Sequence, residues 1–194
     1  KGLLAHHRRL MESNPLHVFA VGDFDPDAVE RMATRAFRAR RREKAELPAS
    51  VVQVPPRAPR RVVEHLPEIE QGKLVIGWRT GLTLVDAGMS ALAMLNGLFG
   101  AFSHSRLFRG LRERDGLAYF VETALDKSKG ILFLRAGIPL DGLDKSRDVI
   151  EKELASIGKG EIGAEELEMT RQALRARIRA KADSPARMIT AHLE

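Results

Sequence analysis

The chain has 194 residues, of which 44% are hydrophobic and 30% charged, a composition typical of a globular protein with one sizeable core or two small ones. It contains no cysteine, which excludes disulfides, thiolate zinc ligands, iron–sulfur clusters and a cysteine nucleophile. The formal charge is +6, but aromatic residues are only 5%, too few for the stacking platforms of single-strand nucleic-acid binders.

The first predicted unit is a strand, a turn and a helix within residues 1–40. Residues 1–14 are predicted as a helix that Pro15 closes. His17 to Val21 form the first strong strand pattern, and Asp25-Pro26 supplies an N-cap and a first-turn proline for the helix that follows. The stretch 41–60 is basic and rich in proline, which predicts a linker and the one clear domain boundary.

Residues 61–194 are predicted as an α+β domain. Alternation predicts strands over 61–66 and 71–79, and Asp86 is placed to cap an apolar helix that Gly97 and Gly100 end. Ser103 or Ser105 is expected to cap the next helix. The remaining predicted elements are a hairpin of strands 117–124 and 131–137 and two long helices over 142–157 and 164–182. Early strands, a central hairpin and paired helices indicate a two-layer sandwich with a mixed, mainly antiparallel sheet covered by helices.

The two ends of the sequence favour a piece of a longer polypeptide. The first residue is Lys1, and Asp183-Ser184-Pro185 begins a helix close to Glu194. We therefore expect the domain over 61–194 to be truncated at its C-terminal end. No stretch has the length and hydrophobicity of a membrane span.

The six histidines do not form a metal-site pattern. His6 and His7 are neighbours on a predicted helix, so their side chains diverge. His65 and Glu68 have a ligand-like spacing, but Pro67 between them prevents the helical turn that would align them. We predict no metal bound by this chain. Ser103 and His104 lack an orienting acid, and the acidic pairs fit solvated helix ends better than an acid–base pair.

One segment resists a purely structural interpretation. Ser105 to Phe108 read SRLF, Gly116 to Tyr119 read GLAY, and Arg112 lies between them. This pattern resembles the peptidase M16 family, which includes pitrilysin, insulinase and the mitochondrial processing peptidase. The resemblance extends along nearly the whole chain. Its other matching segments are Val18 to Asp25 with Phe37, Gln71 to Gly77, and Ile162 to Leu167.

The resemblance implies the metallohydrolase fold of the LuxS and processing-peptidase type, and a zinc-free C-terminal half. In that family two homologous halves enclose a chamber, and an H-x-x-E-H helix in the first half holds zinc. The second half contributes an Arg and a Tyr seven residues apart to the substrate, positions that Arg112 and Tyr119 match here. These donors would hold a peptide carbonyl and stabilise its oxyanion. This sequence contains no H-x-x-E-H, so the resemblance implies that zinc belongs to the partner half.

The leading hypothesis is therefore a catalytically incomplete, substrate-binding domain of a zinc metalloendopeptidase, similar to the zinc-less members of bacterial M16 pairs. Its expected partners are a peptide or protein substrate and a homologous N-terminal half or partner subunit; homo-oligomerisation stays open, and the expected location is cytoplasmic. The alternative is a non-catalytic scaffold of the same fold. A basic nucleic-acid binder using Arg38 to Lys44 and Arg171 to Lys181 is a third and weaker alternative.

The resemblance also assigns residues 1–45 to the end of a preceding repeat. On this interpretation the strand over 16–22 either fills the missing edge of the sheet in its own chain or is exchanged with a neighbouring chain.

Overall fold

The computed structural model describes residues 2–13, 16–37, 58–65, 68 and 71–193. These parts contain seven helices and one three-stranded antiparallel sheet. The elements in chain order are α1 (Gly2–Ser13), α2 (Pro26–Ala36), β1 (Gly72–Arg79), α3 (Met89–Asn96), α4 (Phe108–Arg114), β2 (Phe120–Asp126), β3 (Ile131–Ile138), α5 (Leu143–Gly158), α6 (Ala164–Ala182) and α7 (Pro185–Leu193). None of the helices in the described ranges combines the length and apolar character that crossing a bilayer requires.

The chain divides into two compact units. One comprises Lys1–Ala49 with Arg179–Glu194, and the other comprises Ser50–Ile178. In the first unit the Asp25 carboxylate accepts a hydrogen bond from the Asp27 N–H at 3.0 Å, and Pro26 occupies the first turn of α2. The start of α2 therefore follows the predicted capping pattern.

Two predicted strands are wrong. Residues 16–21 are described without strand structure, and so are residues 61–65. The described sheet consists of β1, β3 and β2 and does not include the segment 16–21. A β-rich sequence becomes a strand only when a neighbouring strand accepts its backbone hydrogen bonds, and such pairing is not encoded locally. Most of the predicted linker over 41–60 lies outside the described residues.

The sheet has the order β1–β3–β2, with both pairs antiparallel. On β1 the side chains of Leu74, Ile76 and Trp78 pack against the core, while Lys73 and Val75 point to the other face. The hairpin between β2 and β3 is held by the Asp126 carboxylate, which accepts hydrogen bonds from Ser128 and Lys129. The predicted α+β fold with helices covering a sheet is confirmed; the sheet, predicted to be mixed and mainly antiparallel, is antiparallel throughout its described strands.

The core lies between the sheet and helices α3, α4 and α5. Phe99, Leu107, Leu111, Leu134 and Ile150 are completely buried there. Burial of one such side chain stabilises a fold by roughly 1.5–3 kcal/mol, so this cluster positions α4 on the sheet.

The glycines predicted to end the third helix lie inside it instead. Residues Gly97–Ala101 continue α3 as a π-helical turn. A Cβ at Gly97 would lie 2.5 Å from Thr170 Cγ2, and a Cβ at Gly100 would lie 2.6 Å from Thr123 Cγ2. These residues are therefore glycines because α6 and β2 approach closely, and not because the helix stops.

The predicted side-chain caps of α3 and α4 are also wrong. Gly88 is the N-cap of α3, and the Asp86 carboxylate instead accepts hydrogen bonds from the N–H and hydroxyl of Thr83. The Ser105 hydroxyl is buried and has no hydrogen-bond partner in the part of the chain that the structure describes. Both helix starts are held by backbone hydrogen bonds and packing.

Candidate functional site

The segment from α4 to β2 forms a tight turn around one carbonyl group. The Asp115 N–H donates to the Gly110 carbonyl, which is the i to i+5 bond of a π-helix. Gly116 follows with φ of +60°, a conformation that side chains disfavour, and reverses the chain. The Leu111 carbonyl then accepts hydrogen bonds from the N–H groups of Leu117 at 2.7 Å and Ala118 at 3.1 Å.

This turn determines where the two predicted site residues lie. Arg112 follows Leu111, and Tyr119 follows Ala118, so the backbone bonds between Leu111 and Ala118 bring both residues to the two sides of one turn. Both side chains are exposed, Tyr119 to 65%. Arg112 and Tyr119 are seven positions apart in the sequence, and the turn that contains Gly116 lies between them.

Both side chains carry hydrogen-bond donors. Arg112 carries a guanidinium whose Cζ lies 4.8 Å from the centre of the Phe108 ring, a cation–π contact that holds the side chain along α4. Tyr119 is anchored through its backbone N–H, which donates to the Gly137 carbonyl at 2.9 Å and leaves the phenol exposed. A guanidinium and a phenol can both donate to a carbonyl oxygen or an oxyanion.

Behind α4 an ion-pair network fixes the helix to the rest of the domain. Arg106 Nε donates to Glu166 Oε1 at 2.6 Å, and Nη2 donates to Glu166 Oε2 at 2.9 Å, a bidentate pair. The same guanidinium donates to Ser156 Oγ at 3.0 Å and to the Glu161 carbonyl at 2.5 Å. These bonds connect the start of α4 to α5 and α6.

The network changes the titration of its members. The hydrogen bond from Arg106 is the largest cause that lowers the pKa of the Glu166 carboxyl below its ordinary value of 4.5, and partial burial opposes it. The same bond raises the pKa of Arg106. Both groups are therefore ionised across the physiological range. Sequence reasoning quoted both residues within motifs but did not pair them.

A cleft of about 540 Å³ lies on the side of α4 that carries this network. Its lining includes Arg106, Arg109, Glu153 and Glu166, but neither Arg112 nor Tyr119. The lining contains three carboxylates and three arginines, so the cleft has no strong net charge to select a ligand. We therefore assign the candidate site to the exposed turn and not to this cleft.

The described residues contain no group of three or more His, Asp or Glu side chains that could hold a metal ion. The histidines are dispersed: His6 Nδ1 accepts a hydrogen bond from Arg9 Nη2, and His104 Nε2 lies 3.2 Å from Thr170 Oγ1. The residues that the structure describes therefore do not form a zinc site.

Comparison with known protein families gives a match over most of the chain. Residues 2–174 match the protein family described as "Peptidase M16 inactive domain". The chain belongs to this family. The match includes α4, the turn and both residues of the predicted pair.

Two curated relatives come from Bacillus subtilis (strain 168). The chain is 27% identical over 172 residues to "Probable inactive metalloprotease YmfF", covering 89% of this chain and 40% of that protein. It is 29% identical over 113 residues to "Uncharacterized zinc protease YmxG", covering 57% of this chain and 27% of that protein. The chain thus spans less than half the length of these relatives.

Solved structures support the fold. A conserved protein from Enterococcus faecalis V583 superposes with a TM-score of 0.78 at 24% identity, covering 99% of this chain and 45% of its own. A peptidase M16 inactive domain from Pseudomonas fluorescens superposes with a TM-score of 0.67 at 18% identity, covering 88% of this chain and 40% of its own.

Proposed function

We propose that this domain holds the peptide substrate of a zinc metalloendopeptidase through Arg112 and Tyr119, opposite a zinc site in another domain or subunit. The observation that supports the proposal is the turn itself. Backbone bonds from Leu117 and Ala118 to the Leu111 carbonyl join the two segments that carry Arg112 and Tyr119, and both side chains are exposed. Membership in the M16 inactive-domain family and the relatives named as metalloproteases support it further.

In this proposal the chain binds the peptide and stabilises the negative charge that develops on its carbonyl oxygen. The Arg112 guanidinium and the Tyr119 hydroxyl donate hydrogen bonds to a peptide carbonyl, and these bonds strengthen as negative charge develops on that oxygen. In other enzymes, loss of one such donor lowers turnover on the order of 10²–10³-fold. The π-helical geometry of α4 fits this role, since such segments are frequent at functional sites.

The experiment is cleavage of a peptide by the complete peptidase, containing its zinc-bearing half, with Arg112→Ala or Tyr119→Phe. The matched control is Arg114→Ala, because Arg114 lies on the same helix, is exposed, and pairs with Asp115. We expect the two site variants to lose kcat/KM on the order of 10²-fold with unchanged melting temperatures, and the control to retain activity. Equal cleavage by all variants contradicts the proposal.

The scaffold alternative has one observation in its favour. Arg112 packs on the Phe108 ring, which is a stabilising contact that needs no substrate. If this contact is the whole role of Arg112, Arg112→Ala lowers the melting temperature and leaves cleavage per folded molecule unchanged. Tyr119→Phe keeps the ring and then changes neither quantity.

The domain organisation of the chain is part of the same proposal. Residues 1–40 would complete a preceding repeat, 41–60 would form the linker, and 61–194 would form the C-terminal-type domain. We also predict that the chain pairs with a homologous N-terminal half and lies in the cytoplasm. Formation of a homo-oligomer stays an open prediction.

A further inference from the structure

Two side chains meet above Gly137 on the sheet face that the helices do not cover. Gly137 lies in β3 between Phe120 of β2 and Lys73 of β1. A Cβ at Gly137 would lie 2.6 Å from Phe120 Cε1 and 3.1 Å from Gln71 Nε2. Gly137 is buried, so the Phe120 ring and the Gln71 amide together cover it.

The same glycine holds Tyr119. Its carbonyl accepts the Tyr119 N–H at 2.9 Å, so the Gln71 amide, the Phe120 ring and the start of Tyr119 surround a single strand position. Gln71 comes directly before β1, which fixes its backbone at the edge of the sheet.

The Gln71 amide has no hydrogen-bond partner among the residues that the structure describes, although it is partly buried. An amide in that position loses part of its hydration without compensation from the protein. Its two donors and its acceptor are therefore available to a ligand at the strand position that Gly137 occupies.

We propose that Gln71 is a third substrate-binding residue, whose amide pairs with the backbone of an extended peptide held at Tyr119. A carboxamide donates and accepts at once, and so matches the C=O and N–H that one peptide residue presents along its edge. The neighbouring Phe120 ring, 43% exposed, supplies apolar surface for an adjacent substrate side chain. This inference rests on the proposed function, and adds to it a group that recognises peptide backbone independently of sequence.

The experiment measures peptide binding to the complete peptidase with metal removed by chelation, so that the peptide is not cleaved. The probe is a fluorescein-labelled, terminally blocked peptide of alternating serine and leucine, followed by fluorescence anisotropy. Gln71→Met keeps the length of the side chain and its packing on Phe120 but removes both hydrogen-bonding functions. Gln172→Met is the matched control, since Gln172 is exposed on α6. Arg112→Ala and Tyr119→Phe are measured alongside.

We expect Gln71→Met to raise Kd about five- to tenfold, as loss of a hydrogen bond does, with an unchanged melting temperature, and Gln172→Met to leave Kd unchanged. If Gln71→Met binds like the wild type while the other two site variants weaken, the Gln71 inference is overturned and the proposed function stands. If only Gln71→Met weakens binding, Gln71 contacts the peptide and the Arg112–Tyr119 assignment is overturned. If the wild-type protein binds no peptide, both are overturned.

Discussion

Removing the Arg106 side chain is expected to destabilise the domain more than removing any comparable surface arginine. Arg106 is 15% exposed and its partner Glu166 is 21% exposed. The guanidinium makes the bidentate pair with Glu166 and further bonds to Ser156 and the Glu161 carbonyl. Arg106→Ala removes all of these bonds at once and leaves the Glu166 carboxylate without its cation.

The size of the expected loss in the free energy of unfolding follows from the partial burial of the Arg106–Glu166 pair. Breaking a buried ion pair by removing one partner costs roughly 3–5 kcal/mol, whereas an exposed pair contributes about 0–1 kcal/mol. Because some solvent reaches both side chains here, we expect a loss of about 3 kcal/mol in the free energy of unfolding. For a chain of this size that loss corresponds to a fall of roughly 6–12 °C in melting temperature.

The assay is urea unfolding followed by circular dichroism, with Arg147→Ala as the control. Arg147 lies on α5 and is 42% exposed, with ion pairs at 3.7 Å to Asp144 and 3.6 Å to Glu151. The control is expected to lose less than about 1 kcal/mol. If Arg106→Ala destabilises no more than Arg147→Ala, the network does not hold α4 in place and the reasoning fails.

Three further predictions concern pH and glycine. The pKa of Glu166 in the folded protein lies below its ordinary value of 4.5. The stability that its ionised form contributes is therefore complete above pH 4.5 and is lost as the pH falls. We expect the difference in free energy of unfolding between wild type and Arg106→Ala, measured in urea, to shrink below pH 4.5. Gly97→Ala places a methyl group 2.5 Å from the buried Thr170 and should cost about 1–3 kcal/mol, whereas Gly158→Ala, with nothing within 4 Å, should not destabilise; equal stabilities would contradict the close approach of α3 and α6. The alanine in Gly116→Ala would meet no atom within 4 Å but would be forced to φ of +60°. We expect this strain to lower the free energy of unfolding by about 1 kcal/mol and, by distorting the turn, to reduce peptide cleavage. Unchanged stability and cleavage would show that the turn tolerates another conformation.

Local sequence patterns predicted much of the second unit. The alternation of Leu74, Ile76 and Trp78 identified β1, and the two long helices predicted over 142–157 and 164–182 correspond to α5 and α6. β1 buries one face against the core, so its alternation is strong in the sequence itself.

The errors share a physical cause, which is dependence on distant residues. Residues 17–21 have strand composition, yet strand structure requires a partner that the local sequence does not specify. Gly97 and Gly100 read as a helix end, but contact with Thr170 and Thr123 explains them. Neither contact has a signal in the neighbouring sequence.

The candidate site also combines features that the local sequence predicts with features that depend on distant residues. The spacing of Arg112 and Tyr119 was visible in the sequence through the family resemblance. The pair of Arg106 with Glu166 was not predicted, although both residues lie in motifs quoted for the resemblance. The position of Gln71 above Gly137 depends on the register of β1 with β3, which no local pattern reveals.

The most direct test of the central claim is photo-crosslinking from the turn itself in the complete peptidase. The variant Tyr119→p-benzoylphenylalanine is irradiated with a substrate peptide, and mass spectrometry identifies the attached residue; the same substitution at Arg114 is the control. The account predicts that peptide is captured at position 119 and not at position 114. Absence of peptide at position 119, or equal capture at both positions, would contradict it.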